Sequence, residues 1–267
     1  MTEVHANSAA GPLSQIYINE VPVDAPWMWL AAGWRDLWKR PLLSLGYGVS
    51  FSLISFAIVY ALQSADAAAL SLAAAGGFML LGPMLAVGLY ELSRRLEAGE
   101  PTPAGAILFV ATKSPTQLGY LGVALMVVLL LWIRVAMLLF ALFQGPQGFP
   151  PLDEFMSSLI TTQNGIGLLV TGTIIGGGMA LAVFAISAVA APLLLDRDID
   201  VMSAIITSIK TFNQNTGAML LWAALIAVFG AIGLVTAFIG MIITFPLLGH
   251  TTWHAYRALI KVAPSAS

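Results

Sequence analysis

Long apolar runs that contain almost no charged residue dominate this chain. Residues 42–62, 67–89, 118–143 and 166–195 form four such runs, and each reaches the roughly 20 residues that a transmembrane helix needs. Hydrophobic residues make up 59% of the 267 and charged residues only 9%, against roughly a quarter charged in a soluble domain. Such a chain would expose too much apolar surface in water. The sequence therefore predicts an all-α polytopic membrane helix bundle.

Charge placement settles how the last apolar stretch, residues 218–248, is divided. It is too long for one span and short for two. If a tight turn lies at Phe229–Gly233, every Lys and Arg except Arg134 falls on one side of the membrane. The loops on the opposite side contain acidic residues but no Lys or Arg. The positive-inside rule then places both chain ends in the cytoplasm. The six predicted spans are residues 42–62, 67–89, 118–143, 166–195, 215–233 and 234–252.

The ends of the chain are predicted to flank this membrane domain. Residues 1–25 contain no Lys or Arg and no apolar core, so they do not resemble a signal peptide and are predicted to be a disordered tail. The membrane domain covers residues 26–262, and residues 263–267 form a second short tail.

The six spans are predicted to be three copies of one helical hairpin. Each copy opens with a segment whose apolar residues recur at helical spacing, as expected for an amphipathic helix at the membrane surface. These segments are "WLAAGWRDLWKRP", "AGAILFVATKSP" and "MSAIITSIKTFNQN". Each copy closes with a proline in its second span, Pro83, Pro192 or Pro246, which is expected to kink that helix.

Aromatic and small residues suggest how the helices meet the membrane and each other. Trp27, Trp29, Trp34 and Trp38 are predicted to anchor the first amphipathic segment at headgroup level. In the fourth span, the small residues Gly172, Gly176 and Ala180 recur every four positions and permit close helix packing. That packing is expected within the chain, and a homodimer is the alternative.

Two histidines near the C-terminus form the main candidate for a metal site. His250 and His254 lie four residues apart and so share one helix face. The hairpin alignment places Glu91 opposite His254, and two imidazoles with a carboxylate could hold a divalent cation. The competing interpretation is that both histidines are polar residues at the membrane boundary, where a helix C-terminus also favours them. No cofactor is predicted, and a divalent metal or a haem is the alternative.

Arg134 is the one charge well inside a predicted span. A guanidinium near the bilayer centre costs about 2.5–3.5 kcal/mol on insertion scales, so it usually has a partner. We expect either an ion pair, with Asp66, Asp153 or Glu154 as the counter-ion, or an anion-binding site.

Four segments resemble a known family: "AGWRDLWKRPLLSLGYG", "GPMLAVGLYELSRRLEAGEP", "PLLLDRDID" and "FPLLGHTTWHAYR". They are similar to a bacterial family of predicted integral membrane proteins, domain of unknown function 2189, over Trp29 to Ile260. The resemblance implies a membrane protein without an established activity. Some members carry the label of a cytochrome c oxidase subunit, but the chain has too few histidines to ligate two haems and copper.

The remaining patterns favour a non-enzymatic role. The chain has no P-loop, HExxH or GxSxG motif, and it contains no Cys, which excludes thiolate chemistry. The leading hypothesis is a non-enzymatic protein of the bacterial inner membrane that binds a lipid or a membrane-protein partner, or that helps a membrane complex to assemble. No nucleic-acid partner is predicted. The alternatives are a small transporter of an anionic or lipid-like solute and a metal- or haem-binding accessory protein of a respiratory complex.

Overall fold

A computed structural model describes residues 16–145 and 150–262. Helices account for most of this part of the chain, and two short strands lie at its ends. In chain order the elements are β1 (Ile16–Ile18), α1 (Ala25–Lys39), α2 (Pro41–Ser64), α3 (Leu70–Leu85), α4 (Val87–Ala98), α5 (Ala104–Leu108), α6 (Pro115–Gln144), α7 (Leu152–Thr161), α8 (Gln163–Ser187), α9 (Ala190–Asp196), α10 (Val201–Gln214), α11 (Thr216–Val235), α12 (Met241–Leu259) and β2 (Ile260–Val262).

Five helical stretches in the described part of the chain are long and apolar enough to cross a membrane. They are α2, α3 with α4, α6, α8 with α9, and α11. The predicted all-α membrane bundle is confirmed, and these stretches coincide with the first five predicted spans. The sixth predicted span corresponds to α12, whose second half, from His250 to Leu259, is too polar for α12 to qualify on composition.

The two ends of the described chain are paired. Strand β1 runs antiparallel to β2, with Ile16 opposite Val262 and Ile18 opposite Ile260. The predicted disordered tail is therefore wrong for residues 16–25, which form β1, a turn and the start of α1, whereas residues 1–15 and 263–267 lie outside the described residues. Paired ends require an even number of membrane crossings, which supports α12 as a sixth crossing. The count of six remains a prediction.

The turn between the last two long helices lies further along the chain than predicted. Helix α11 continues through Phe229–Gly233 to Val235, because glycine does not end a helix where lipid offers its backbone no other partner. The turn occupies residues 236–240, where Ala237 and Phe238 adopt left-handed backbone angles, φ 49° and 65°. The Thr236 hydroxyl oxygen accepts a hydrogen bond from the Gly240 amide at 2.8 Å and so caps the turn.

The three predicted kink prolines have different consequences. The helix that contains Pro83 is interrupted at Ala86, between α3 and α4. The chain is interrupted again at Ala188 and Val189, just before Pro192, whereas α12 continues through Pro246. Proline removes one backbone donor from a helix, and the neighbouring contacts decide whether the helix then breaks.

A serine from a neighbouring helix repairs the second interruption. Ser208 of α10 donates its hydroxyl hydrogen to the Ala185 carbonyl at 2.8 Å and accepts a hydrogen bond from the Val189 amide at 3.2 Å. The side chain therefore satisfies backbone groups that the broken helix leaves free.

Two of the three predicted amphipathic segments form full helices. They are α1 and α10, whereas the middle segment is helical only over Ala104–Leu108 and becomes irregular from Phe109. A short helix, a long helix and a stretch that contains Pro83, Pro192 or Pro246 recur three times along the chain if α4 and α7 are set aside and α8 is counted with α9. This order is compatible with three hairpin copies, and the repeat remains a prediction.

Helix α12 lies at the centre of the molecule. It packs against α1, α2, α4 and α11. Its fully buried side chains include His250, Trp253 and Tyr256, although its composition is the least apolar of the long helices. One face of α12 borders a cavity, and another contacts a cluster of polar side chains.

Candidate functional site

An apolar cavity of about 510 Å³ lies between α3, α8, α11 and α12, with α2 and α4 contributing to its walls. Its wall includes Phe78 and Met79 from α3, Phe184 from α8, and Met241 and Phe245 from α12. Pockets for small molecules typically measure 300–1,000 Å³ and are mostly apolar. In size and lining, the cavity fits an apolar ligand.

The cavity opens through the side of the bundle. Helices α8 and α11 make little direct contact with each other. Their exposed residues, Gly177 and Leu181 on α8 and Leu220, Ala224 and Ala227 on α11, also line the cavity. Both helices belong to stretches that qualify as membrane spans by length and composition, so the gap lies between two candidate spans.

Two polar atoms in the cavity wall have no hydrogen-bond partner. Trp222 of α11 lines the cavity and is 1% exposed, and its indole Nε1 is buried and unpaired within the described residues. The hydroxyl of Ser71 on α3 is likewise buried and unpaired. Buried polar groups are normally satisfied, so both atoms are candidates for a contact with a ligand.

A buried polar cluster joins α1, α2, α4 and α12. Ser93 donates its hydroxyl hydrogen to Asp36 Oδ2 at 3.0 Å, so it accepts from His250 Nδ1 at 2.7 Å. His250 Nε2 then accepts from the Ser44 hydroxyl at 2.9 Å. This hydrogen-bond network assigns the Nδ1–H tautomer to His250. His254 Nε2 donates to the same Asp36 oxygen at 2.7 Å.

Asp36 accepts every hydrogen bond that it makes in this cluster. Its other oxygen, Oδ1, accepts from Lys39 Nζ at 2.9 Å, although the side chain is nearly fully buried. Burial alone would raise the pKa of Asp36, but the hydrogen bonds from His254 and Lys39 outweigh burial and lower its pKa to about 2. Asp36 is therefore an ionised carboxylate at neutral pH, and it ties α1 to α12.

The predicted metal site is not assembled. Glu91 is held by Arg94, with Nε 2.7 Å from Oε2, and by Arg95, rather than by the histidines. Among the residues that the structure describes, no three His, Asp or Glu side chains are placed to hold a metal ion. Both ring nitrogens of His250 are already bonded to serine hydroxyls. The structure therefore does not bring His250, His254 and Glu91 together as the predicted ligand set.

Arg134 lies on the outer surface of α6, away from the cavity. Its side chain is exposed, and within the described ranges it makes no ion pair with Asp66, Asp153 or Glu154. The predicted internal counter-ions therefore do not pair with it.

The four predicted tryptophan anchors divide between two faces of α1. Trp27, Trp34 and Trp38 are about half exposed, whereas Trp29 is 4% exposed and packs edge-on against Trp222, with ring centroids 6.4 Å apart. Trp34 follows Trp27 by seven positions and precedes Trp38 by four, so these three residues share one helix face. Trp29 lies two positions after Trp27 and therefore points to the opposite side of the helix. The anchor prediction is therefore wrong for Trp29, which belongs to the core.

The small residues of α8 serve different purposes. Gly176 lies against the ring of Trp132 on α6, and that indole donates a hydrogen bond to the Ala73 carbonyl at 2.8 Å. A side chain at Gly172 would meet open space, and Ala180 lines the cavity. Of the predicted face, Gly176 therefore makes the close contact with α6.

Sequence reasoning missed Asp36, Ser44, Ser93 and Trp222 as site residues. Their partners are distant in sequence: His250 lies 206 positions from Ser44 and 157 from Ser93, and His254 lies 218 from Asp36. No local spacing rule connects such positions. The one available signal was Asp36 itself, a carboxylate on an otherwise apolar and basic helix.

Comparison with known proteins gives the family of the central part of the chain. No curated protein and no solved structure matches the chain. The fold, the spans and the family model agree that this is an integral membrane protein of unknown function. Residues 71–196 match the family described as predicted integral membrane protein, DUF2189, which confirms over that segment the resemblance seen in the sequence.

Proposed function

We propose that this protein is a non-enzymatic membrane protein that binds a lipid-like ligand in the cavity between α3, α8, α11 and α12. The observation that carries the proposal is the apolar cavity of about 510 Å³, which opens between two candidate membrane spans. A ligand dissolved in the bilayer can reach this opening without crossing water.

The lining supports a lipid in preference to a water-soluble solute. The wall is made of aliphatic and aromatic side chains, with hydroxyls at a few points such as Ser55 and Thr244. A polar solute would lose its hydration on entry and regain few hydrogen bonds, which costs several kcal/mol. A hydrocarbon chain has no such cost and gains packing contacts.

Filling the cavity tests the proposal. Ala227 is exposed on α11 and lines the cavity, so Ala227→Trp would occupy space near the opening. Ala57→Trp on α2 is the matched control, because Ala57 is also an exposed alanine in a membrane span but does not line the cavity.

Lipid retained after purification in mild detergent is measured by native mass spectrometry of the intact protein. We expect one wild-type molecule to retain one lipid, Ala57→Trp to retain it equally, and Ala227→Trp to lose most of it. Retention of the same lipid by Ala227→Trp, or no retained lipid in the wild-type protein, would contradict the proposal.

A transporter of an anionic solute is the second candidate, favoured by Arg134, which is exposed on α6 and has no ion-pair partner within the described ranges. Since Arg134 does not line the cavity, we expect Arg134→Gln to leave lipid retention unchanged. In proteoliposomes, a loss of anion uptake in Arg134→Gln, with uptake retained in Arg134→Lys, would favour the transporter over the binding protein.

A further inference from the structure

We infer that the part of the ligand that enters the cavity is uncharged, and that it carries a hydrogen-bond acceptor that binds the indole N–H of Trp222. The inference rests on the proposed function and adds the chemical class of the ligand. It predicts a neutral lipid such as a long-chain ester or ketone, and it excludes a lipid whose charged head enters the cavity.

The absence of charge in the wall carries the first half of the inference. None of the lining residues within the described part of the chain is Asp, Glu, Lys, Arg or His. A charged group moved from water into such surroundings loses its hydration and gains no counter-ion. The charged cluster around Asp36 lies on the other side of α12 and does not line the cavity.

The unpaired indole carries the second half. Trp222 Nε1–H is a donor and never an acceptor, and it is buried with no partner among the described residues. Its ring is fixed edge-on against Trp29, with an angle of 87° between the ring planes. A ligand oxygen at this end of the cavity would satisfy the donor, whereas a ligand that consists only of hydrocarbon would leave it unpaired.

The positions of Trp222 and Ser71 indicate an elongated ligand. Gly230 of α11 faces Met79 of α3. Helix α12 runs in the same direction as α3 and α4, because Phe245 packs against Phe78 and Gly249 lies against Leu89. Helix α11 is joined to α12 by a tight turn and therefore runs in the opposite direction to α3. Trp222 lies eight positions before Gly230, and Ser71 eight before Met79. At ~1.5 Å per residue, the two unpaired groups lie roughly 20–25 Å apart along the bundle, with apolar residues between them.

The test compares ligands that share one chain and differ at the head. Purified full-length protein, stripped of lipid in detergent, is titrated with methyl palmitate, palmitate and hexadecane. Binding is followed by the recovery of tryptophan fluorescence as each ligand displaces a brominated lipid that quenches it, or by native mass spectrometry. For the wild-type protein we expect methyl palmitate to bind roughly tenfold more tightly than palmitate at pH 8.

Trp222→Phe removes the donor and keeps an aromatic ring. We expect this variant to bind methyl palmitate roughly fivefold to tenfold more weakly, since one neutral hydrogen bond is lost. Its affinity for hexadecane should not change. The ratio of the two affinities within one variant cancels any general loss of folded protein. Ala227→Trp, in contrast, is expected to lower the affinity for all three ligands.

The outcomes separate the inference from the proposed function. Palmitate binding as tightly as the ester, or an unchanged ester-to-hexadecane ratio in Trp222→Phe, overturns the inference and leaves the cavity as a lipid site. Binding of none of the three ligands by the wild-type protein overturns both.

Discussion

Single residues hold the first helix to the rest of the molecule. Asp36 on α1 is nearly fully buried and accepts hydrogen bonds from Ser93, His254 and Lys39. Breaking such a buried arrangement leaves donors without an acceptor, and this costs more than the intact bond contributes. The cluster therefore explains why a polar helix such as α12 can be buried at the centre of a membrane protein.

The low pKa of Asp36 predicts a loss of stability in acid. Because the pKa is about 2 in the folded protein and about 3.9 in an unfolded chain, the ionised carboxylate stabilises the fold above about pH 4. This contribution, about 2 kcal/mol, should disappear as the pH falls from 4 to 2. We expect Asp36→Asn to lower the Tm at pH 7 and to flatten the Tm profile between pH 4 and pH 2.

Asp24→Asn is the control for this measurement, since Asp24 is exposed just before α1 and caps no helical amide with its side chain. Thermal unfolding in detergent, followed by circular dichroism, gives the Tm. A pH profile of Asp36→Asn that superimposes on that of the wild-type protein would show that Asp36 does not stabilise the fold in this way.

At the scale of elements, close approach between α2 and α12 depends on one glycine. Gly48 of α2 lies directly against the Ile242 backbone carbonyl of α12. That carbonyl is the one that Pro246, four residues later, leaves without its helical donor. A side chain added at Gly48 would push α2 away from α12 and uncover the Ile242 carbonyl, which lacks its helical donor.

We predict opposite outcomes for two neighbouring glycines of α2. Gly48→Ala should overpack the contact with Ile242 and lower stability by about 1–3 kcal/mol. Gly46→Ala should be neutral or stabilise the helix by up to about 1 kcal/mol, because Gly46 is exposed and an added methyl group meets open space. The Tm of each variant in detergent measures the difference. Equal values for the two variants would mean that α2 and α12 are not this closely packed.

For the molecule as a whole, the pairing of β1 with β2 constrains the membrane topology. Strands from both ends of the described chain are hydrogen-bonded to each other, so both ends lie on one side. The loops between α2 and α3 and between α6 and α8 hold Asp66 and Asp153 and contain no Lys or Arg. The positive-inside rule places these loops on the opposite side from the chain ends.

Labelling of single cysteines tests this topology, and the chain has no native cysteine to interfere. We expect cysteines at Glu20 and Lys261, both exposed, to react with an impermeant maleimide only after the membrane is opened. Cysteines at Asp66 and Asp153, also exposed, should react in intact cells. Reaction of Glu20 and Lys261 on opposite sides would contradict the pairing of the strands.

The sequence by itself determined the environment and the helices of this protein. Apolar runs of membrane-spanning length predict helices wherever they occur, because a backbone in lipid must satisfy its own hydrogen bonds. The first predicted span, residues 42–62, therefore falls within α2, and residues 118–143 fall within α6. The exact position of the turn near residue 236 was not predicted, because Ala237 and Phe238 are not residue types that favour a left-handed backbone conformation.

Only the tertiary structure decided which residues form a site. The predicted partner of the two histidines, Glu91, is taken by Arg94 and Arg95. The carboxylate that bonds His254 is instead Asp36, more than two hundred positions away, and it reaches His250 only through Ser93. The cavity likewise exists because α8 and α11 stay apart, which no single segment encodes. Contacts between distant segments depend on how whole helices pack, and packing follows from the shapes of all their faces together.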